Sequence, residues 1–315
     1  MRILVVGAGA IGGYFGGRLL EAGCDVTFLV RPRRAAELAA GGLVLKSALG
    51  DFTKPAPATV LARDLGSPFD LILLSCKAYS LDDAIDSFAP AVGPNTAILP
   101  LLNGMRHLDV LDERFGKARV FGGQCGIAAT LDPQGQVVHL NRIHELSFGE
   151  RDGGLSDRVQ AIARQMQGAK FEVRASENIL QEMWNKWVFL SALAASTCLM
   201  RTAIGDIAQA PGGTQMVRNL IDESRTIAEA NGFAPPDAFM RWVENTLTET
   251  GSTFTASMAR DIENHNPIEA DHIIGDLIRR GEETGSLARG TSLLRLAYTH
   301  LKAYEAREER TRSGR

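Results

Sequence analysis

The sequence is short of cysteine, of long apolar runs and of excess charge of either sign. Its four cysteines, among 315 residues, lack the short spacings of a metal site or a disulfide framework. They are Cys24, Cys76, Cys125 and Cys198. A formal net charge of -3 offers no basic stripe for nucleic acid or an anionic membrane surface. The most apolar stretch, residues 187–200, contains three hydroxyl side chains and is shorter than the ~20 residues that span a bilayer.

These absences leave an ordinary globular chain with a small-molecule partner as the expectation. The length suits two domains. The chain opens on an apolar strand pattern without a basic leader, so the cytoplasm is the expected compartment. No nucleic acid, membrane or metal ion is expected as a partner. The oligomeric state stays open, with a homodimer as one option.

A glycine-rich turn near the start of the chain is the most informative motif that is present. Residues 3–6 form an apolar strand, and Gly7, Gly9 and Gly12 follow it. In a dinucleotide-binding turn, the first glycine allows the tight turn, the second lets the backbone approach a pyrophosphate, and the third lets the helix pack on the sheet. The pyrophosphate then lies at the helix N-terminus, where N–H groups and the helix dipole favour an anion. The residues expected to contact the cofactor here are Gly7, Gly9, Ala10, Ile11 and Gly12.

The residue after the second strand indicates which nicotinamide cofactor is bound. An acid at that position accepts a hydrogen bond from the ribose 2'-hydroxyl, whereas a cation binds the 2'-phosphate. This sequence has Arg31, Arg33 and Arg34 there and no acid. The motif therefore predicts NADP(H), with Arg31 as the first choice for the phosphate and the other two arginines as alternatives.

The pattern of elements changes from alternating strands and helices to helices alone. Alternation through the first half predicts βαβ units and a doubly wound, mostly parallel sheet, a Rossmann domain over residues 1–175. Strands near residues 119–123, 137–140 and 146–148 are predicted to extend that sheet, and a hairpin insertion is predicted near residues 43–52. Helical periodicity predicts an all-helical domain over residues 176–315. Its predicted helices are residues 179–200, 213–230, 237–248, 253–263, 267–284 and about 291–307.

Two polar residues follow strands of the predicted sheet. Lys77 comes after an apolar strand at residues 71–76, and Asn103 comes after another at residues 97–102. Ligands of open α/β sheets bind outside the carboxyl ends of the strands, so both side chains are candidates for contact with cofactor or substrate. The alternatives remain open: Lys77 as a solvated residue at a strand exit, and Asn103 with Gly104 as a tight turn.

The helical half contributes Lys186 and Glu269. Lys186 lies between Trp184 and Trp187 at the start of an apolar helix, where desolvation favours proton donation at neutral pH. The alternative is a lysine whose charged end reaches water. Residues 266–269 have the pattern of a helix N-terminus, which would make Glu269 a structural cap. Glu269, His272 and Asp276 share one helical face, but no further acid or histidine supports a metal site.

In this order, the motifs resemble those of the ketopantoate reductase (2-dehydropantoate 2-reductase) family over nearly the whole chain. They are G-A-G-A-I-G-G, S-C-K-A-Y, L-L-N-G-M, W-N-K-W, S-M-A-R-D-I and I-E-A-D-H-I. The resemblance implies a helical domain of the 6-phosphogluconate dehydrogenase type and an active site in the cleft between the domains. It implies that Lys186 donates a proton to the ketone oxygen, with Glu269 supporting the site. It also places Ser257 at the substrate carboxylate, and Lys77 and Asn103 near the nicotinamide and the ketone.

One departure from the family falls on the helix that contacts the substrate. Pantoate-forming members place asparagines four and eight residues after the lysine, and this chain has Leu190 and Ala194 at these substrate-binding positions. Hydrocarbon there predicts a more apolar pocket. Ser191 or Thr197 could compensate, although neither takes the same rotational position as Leu190.

The expected function is therefore NADPH-dependent reduction of a small 2-oxo acid, with 2-dehydropantoate as the first choice. The alternatives are a paralogue that acts on a more apolar 2-oxo acid, a different reaction on the same architecture, and a non-catalytic NADPH-binding regulator.

Overall fold

The computed structural model describes residues 1–287, 290 and 292–314. The chain divides into two compact units, each of which collects two stretches of sequence. The first unit contains Met1–Leu102 and His107–Ile179, and the second contains Asn103–Arg106 and Leu180–Arg315. The predicted domain boundary at residue 175 stays a prediction.

The first unit is built from strands and helices in alternation. Its strands are β1 (Arg2–Val6), β2 (Asp25–Leu29), β3 (Leu43–Lys46), β4 (Phe52–Lys54), β5 (Thr59–Val60), β6 (Phe69–Leu74), β7 (Val92–Pro100), β8 (Gly122–Leu131), β9 (Val137–Gly149) and β10 (Glu172–Ala175). Its helices are α1 (Ala10–Glu21), α2 (Pro32–Gly41), α3 (Leu81–Phe88), α4 (Arg106–Phe115) and α5 (Asp157–Met166).

The first sheet is parallel, in the order β5-β2-β1-β6-β7. Its central strands are buried throughout, from Ile3 to Val5 in β1 and from Leu71 to Leu74 in β6. Continuous apolar strands of this kind are typical of a parallel sheet covered on both faces. The predicted fold class, a Rossmann-type domain followed by a helical domain, is confirmed.

The prediction that later strands extend this sheet is wrong except at one residue. Val120 forms an isolated parallel bridge with Ile98. From there the chain enters a long antiparallel hairpin of β8 and β9, which belongs to a second sheet in the order β10-β9-β3-β4. Residues 137–149 are one strand, although the polar stretch at residues 141–145 suggested two. The register with β8 shifts within this stretch, where Ala128 N donates to Asn141 Oδ1 at 3.3 Å, and the apolar pattern by itself does not contain that information.

Helix α1 contacts both sheets through glycines. A Cβ at Gly16 would be 2.6 Å from the ring of Phe28 in the first sheet, and one at Gly13 would be 2.8 Å from Val137 in the second. The helix backbone therefore lies closer to both sheets than any side chain would allow. This close approach places the N-terminus of α1 at the carboxyl end of β1.

The second unit is helical. Its helices are α6 (Ile179–Met200), α7 (Ile204–Gln209), α8 (Gly213–Ala230), α9 (Asp237–Leu247), α10 (Ser257–Glu263), α11 (Asp276–Glu283) and α12 (Leu293–Ser313), and a π-helical turn (Asp271–Gly275) precedes α11. The predicted bounds of α6 and α8 are confirmed. The predicted start of the last helix, Thr291, lies outside the described residues, and α12 continues past its predicted end.

Helix α10 begins four residues later than predicted. The carbonyl oxygens of Ser252 and Phe254 accept hydrogen bonds from the N–H groups of Gly205 and Ile204, at 2.9 and 3.0 Å. This segment is therefore held by the start of α7 and cannot form its own helical hydrogen bonds.

In the part of the chain that the structure describes, no helix is both long and apolar enough to cross a membrane.

Candidate functional site

The glycine turn after β1 has the geometry that the motif predicted. Gly7 has φ +91°, a conformation that favours glycine, and its N–H donates to Leu29 O at 2.9 Å. A Cβ at Gly12 would be 2.2 Å from Gly7 O, so this glycine allows helix and turn to touch. Around Gly9 nothing lies within 4 Å of a Cβ position. The backbone there faces open space, which fits the approach of a phosphate.

The N-terminus of α1 carries the donors for such an anion. Gly9 is the N-cap residue and makes no side-chain cap hydrogen bond, and Ala10 and Ile11 begin the helix. The N–H groups of a first helical turn have no acceptor within their own helix. The turn therefore fits a pyrophosphate at this helix end.

Ser75 is a neighbour of this turn that the sequence reasoning missed. Its hydroxyl donates to Val6 O at 2.9 Å, and its Oγ would lie 2.2 Å from a Cβ at Gly12. Lys77 follows two residues later, exposed, at the carboxyl edge of the first sheet. The hydroxyl of Ser75 thus ties the segment that carries Lys77 to the glycine turn. In the sequence, Ser75 stood within the predicted strand at residues 71–76 and was the first residue of the S-C-K-A-Y motif.

The three arginines after β2 differ in what holds them. Arg31 is the N-cap residue of α2, its side chain is 77% exposed, and it pairs with Asp83 at 3.6 Å. Arg33 is 92% exposed and pairs with Glu37. The guanidinium of Arg34 is only 16% exposed. The guanidinium of Arg31 is therefore an accessible cation at the end of β2.

Arg34 connects three parts of the first unit. Its guanidinium donates to Ala8 O in the glycine turn at 3.1 Å, to Gly135 O in the β8–β9 connection at 2.9 Å, and to Glu37 at 3.1 Å. Its donors are directed at protein carbonyl and carboxylate oxygens, so its position is that of a brace on the glycine turn. The sequence placed Arg34 beside Arg31 and had no signal for this difference.

In the second unit, Lys186 lies on α6 between two buried tryptophans. Trp184 and Trp187 are 2% and 1% exposed, and Trp184 stacks on Phe233. The indole Nε1 of Trp187 donates to Ile273 O at 2.9 Å, which fixes α6 against the π-helical turn. Lys186 itself is half-buried. The tryptophans thus hold the helix turn that presents this lysine.

Glu269 is buried, 8% exposed, and its predicted position as the third residue of a helix is wrong. The helix begins after it, and Glu269 O accepts hydrogen bonds from His272 N and Ile273 N at 3.2 and 3.0 Å. Asn266 is held in the preceding turn instead, because its N–H donates to Asp261 O and its carbonyl accepts from Tyr304. The backbone carbonyl of Glu269 therefore caps the π-helical turn.

The neighbouring acid and histidine are arranged as a structural group. Asp276 is buried and accepts from Arg279 and Arg280 at 2.6 and 3.0 Å. Burial lowers the pKa of His272, which keeps its imidazole neutral at pH 7, although Glu269 and Asp276 act in the opposite direction. Among the residues that the structure describes, no group of three His, Cys, Asp or Glu side chains is placed to hold a metal ion.

Ser257 is exposed at the start of α10, and its segment is attached to α6. Ala256 N donates to Thr197 Oγ1 at 3.3 Å. Leu190 is half-buried, while Ala194 is 2% exposed and packed inside the unit. Of the two predicted substitution sites on α6, Leu190 is the more accessible.

Neither hydroxyl side chain considered as a substitute for the family's asparagines is directed at a ligand. Ser191 is buried and donates to Val188 O at 3.1 Å, with Ser224 Oγ 3.0 Å away. Thr197 is buried and donates to Leu193 O at 2.7 Å. The accessible face of α6 near Leu190 is therefore apolar.

Asn103 lies in the short segment that contacts the helical unit. Gly104 beside it has φ +75°, and a Cβ there would be 2.6 Å from His272 O. This close contact brings the turn of Asn103 to the same π-helical turn that Trp187 contacts. Within the second unit, the turn of Asn103 and helix α6 thus both contact the π-helical turn that follows Glu269, and the segment of Ser257 is bonded to α6 at Thr197.

A parallel sheet with a glycine turn at the start of its first helix is the architecture of a dinucleotide-binding oxidoreductase. Residues 3–153 match the family described as Ketopantoate reductase PanE/ApbA, and residues 178–305 match its C-terminal counterpart. The chain belongs to the ketopantoate reductase family of oxidoreductases.

Individual proteins support this assignment. The chain is 37% identical to the uncharacterized oxidoreductase YkpB of Bacillus subtilis (strain 168), over 97% of this chain and 99% of that protein. The crystal structure of 2-dehydropantoate 2-reductase from Methylococcus capsulatus matches 98% of each chain, with 29% identity and a TM-score of 0.85. A structure of D-mandelate dehydrogenase with NADH and anilino(oxo)acetate shares the fold, with 21% identity, 98% and 100% coverage and a TM-score of 0.86.

Proposed function

We propose that this protein reduces a small 2-oxo acid to the 2-hydroxy acid with NADPH, and that 2-dehydropantoate, reduced to pantoate, is the first substrate to test. The observation that carries the proposal is the position of Lys186. It lies half-buried on α6, and the neighbouring Trp187 donates to Ile273 O in the π-helical turn that follows Glu269. An ammonium group held in this way is suited to a carbonyl oxygen that gains negative charge.

Each residue has a distinct role in the proposed reaction. Bound NADPH supplies the hydride to the carbonyl carbon. Lys186 Nζ donates a proton to the carbonyl oxygen, so that the hydride on carbon and this proton on oxygen together complete the alcohol. Glu269 supports the site from its buried position just before the π-helical turn. Ser257 contacts the substrate carboxylate.

The cofactor contacts lie mainly in the first unit. The N–H groups at the start of α1, with Gly7, Gly9, Ala10, Ile11 and Gly12, hold the pyrophosphate. Arg31 binds the 2'-phosphate, and Lys77 and Asn103 contact the nicotinamide end. The exposure of Arg31 and the open space at Gly9 support these roles.

Substitution of Arg31 by alanine is expected to weaken NADPH binding by about 10- to 150-fold, the range for a lost hydrogen bond to a charged group. NADH lacks the phosphate, so its binding should change little. Arg34→Ala removes the hydrogen bond to Ala8 O and should weaken the binding of NADPH and NADH to the same extent, by about two- to tenfold. Fluorescence titration with each cofactor measures both effects.

Arg33→Ala serves as the matched control, because this side chain is 92% exposed and pairs only weakly with a neighbour on its own helix. Its cofactor affinities should stay within about twofold of the starting protein. Equal weakening of NADPH and NADH by Arg31→Ala would show that Arg31 does not bind the phosphate.

A more apolar 2-oxo acid is a second candidate substrate, favoured by the half-buried Leu190 and by the internal hydrogen bonds of Ser191 and Thr197. A site that offers hydrocarbon to a substrate hydroxyl loses the energy of that hydrogen bond. The third alternative, a non-catalytic NADPH-binding regulator, needs neither a lysine nor a glutamate at these positions. The expected cytoplasmic location stays a prediction.

The experiment that tests the proposal follows NADPH oxidation with 2-dehydropantoate and, in parallel, with 2-oxoisovalerate, which lacks the hydroxyl. Efficient reduction of 2-dehydropantoate is the result expected for a pantoate-forming enzyme. A higher kcat/KM for 2-oxoisovalerate would support the apolar alternative. Tight NADPH binding without turnover of any 2-oxo acid would overturn the enzymatic proposal in favour of a regulator.

A further inference from the structure

Four aromatic side chains in the second unit form a partly exposed cluster, the aromatic wall: Phe189, Phe239, Trp242 and Phe254. The ring of Phe189 lies 4.9 Å from Trp242 and 6.0 Å from Phe254, and Phe239 lies 5.5 Å from Trp242. Trp242 is 49% exposed and Phe254 is 41% exposed. Large rings left open to solvent in one cluster indicate a surface that binds something.

The aromatic wall is continuous with the accessible face of α6. From Lys186 onward, Phe189 and Leu190 are the next partly exposed residues of this helix. Residues 187–188 and 191–198 are buried. Residues three and four positions apart lie on the same side of a helix. Phe189 and Leu190 therefore lie one turn from Lys186 on its own side.

The other end of the aromatic wall leads to Ser257. Phe254 is three residues before it, and Ala256 between them is bonded to Thr197 on α6. This bond attaches the segment to α6 at a position after Leu190 in the helix. The segment of Phe254 and Ser257 therefore lies beside the accessible face of α6 at Phe189, and this face continues past Lys186 to Asn185.

The exposed area of the wall suits a small molecule better than a second copy of the chain. Aromatic side chains bury about 150–250 Å² each, so the open parts of Trp242 and Phe254 present on the order of 200 Å². A stable protein interface needs about 800 Å² from each partner. One ring-sized or branched apolar group matches the area that is available.

Building on the proposed function, we propose that the aromatic wall is the subsite for the substrate side chain, and that it selects 2-oxo acids with an aromatic or bulky apolar group. Lys186 and Ser257 hold the 2-oxo acid end, and Phe189, Trp242 and Phe254 contact the rest of the molecule. The ring faces offer no hydrogen bond to the hydroxyl of 2-dehydropantoate. A hydroxyl that is desolvated without a partner binds less well, whereas a phenyl group gains stacking contacts.

The test compares kcat/KM for pyruvate, 2-dehydropantoate and phenylpyruvate. Pyruvate carries the reacting group but has only a methyl group as its side chain. We expect kcat/KM for phenylpyruvate to be about tenfold or more above that for 2-dehydropantoate. In Trp242→Ala and Phe254→Ala, kcat/KM for phenylpyruvate should fall by about 10- to 100-fold, while that for pyruvate should change by less than about twofold. Trp242→Phe keeps an aromatic ring and should therefore retain most of the kcat/KM for phenylpyruvate.

Leu296→Ala is the matched control, because Leu296 is also an exposed apolar residue of the helical unit, at 53%, and lies on α12. This substitution should change kcat/KM for neither pyruvate nor phenylpyruvate. Melting temperatures of the variants show that the losses do not come from unfolding.

The outcomes separate this inference from the proposed function. If the unaltered protein reduces none of the three acids, the proposed function fails and the inference with it. If it reduces them but Trp242→Ala lowers kcat/KM for pyruvate and phenylpyruvate equally, the wall is not the side-chain subsite. A change in oligomeric state by light scattering, with unchanged selectivity, would make the wall a subunit interface and overturn the inference.

Discussion

Replacement of Lys186 by alanine is expected to lower kcat by about 10²- to 10⁴-fold, the usual contribution of a positioned general acid. Affinity for NADPH should stay nearly unchanged, because the proposed phosphate contacts lie at the glycine turn and Arg31. Steady-state kinetics with a 2-oxo acid, together with fluorescence titration of NADPH, measures the two quantities separately.

Lys186→Arg separates charge from proton donation. Arginine keeps the positive charge but stays protonated throughout the pH range of proteins, so it stabilises the developing alkoxide without delivering a proton. We expect its kcat to stay close to that of the alanine variant while its KM stays closer to that of the unaltered protein. Lys117→Ala is the control, since this lysine pairs with Asp152 on the surface of the first unit. Turnover of Lys186→Ala at the starting rate would contradict the proposed role.

The two glycines of the turn, Gly9 and Gly12, are expected to respond differently to the same substitution. A Cβ at Gly12 would be 2.2 Å from Gly7 O, and backbone cannot move away as a side chain can. Gly12→Ala should therefore lower the free energy of unfolding by about 1–3 kcal/mol, the usual cost of overpacking. In a domain of this size, the melting temperature falls by about 2–4 °C for each kcal/mol.

Gly9→Ala should leave the melting temperature unchanged, because nothing lies within 4 Å of its Cβ position. Its methyl group would instead stand between the backbone and the pyrophosphate, and NADPH binding should weaken by about 1–3 kcal/mol. Thermal unfolding without cofactor and titration with NADPH measure the two effects. A Gly9→Ala protein that binds NADPH normally would show that the pyrophosphate does not approach this backbone.

Local pattern predicted the elements that bury a continuous or periodic apolar surface. The bounds of α6 and α8 follow from helical periodicity, and β1 and β6 follow from short apolar runs. The glycine turn was also predictable, because each glycine has a steric reason that depends on residues near it in the chain. These parts of the fold depend on short-range information.

Elements that depend on a distant partner were predicted less well. The polar middle of β9 stays within one strand because β8 pairs with residues 137–139 and 144–149, on either side of a register shift between Ile127 and Ala129. The start of α10 is set by α7, whose N–H groups bond to the preceding residues. In both cases, hydrogen bonds to another segment outweigh the local preference.

The candidate site divides in the same way. Lys186, Glu269 and Ser257 were identified from motifs, but the bond from Trp187 to Ile273 that attaches α6 to the π-helical turn has no sequence signal. The difference between Arg31 and Arg34 depends on the carbonyls of Ala8 and Gly135, and Gly135 lies far away in the chain. Such contacts arise only when separate elements pack together.

By itself, the sequence determined the class of this protein: a glycine turn at the end of an apolar strand, a cation in place of an acid after the second strand, and a helical second half. These features depend on backbone sterics and charge within a few residues. Only the tertiary structure decided that Arg34 braces the turn, that Glu269 precedes its helix, and that Phe189, Trp242 and Phe254 form one cluster of rings. The physical reason is that burial, hydrogen-bond partners and ring contacts are properties of segments brought together from different parts of the chain.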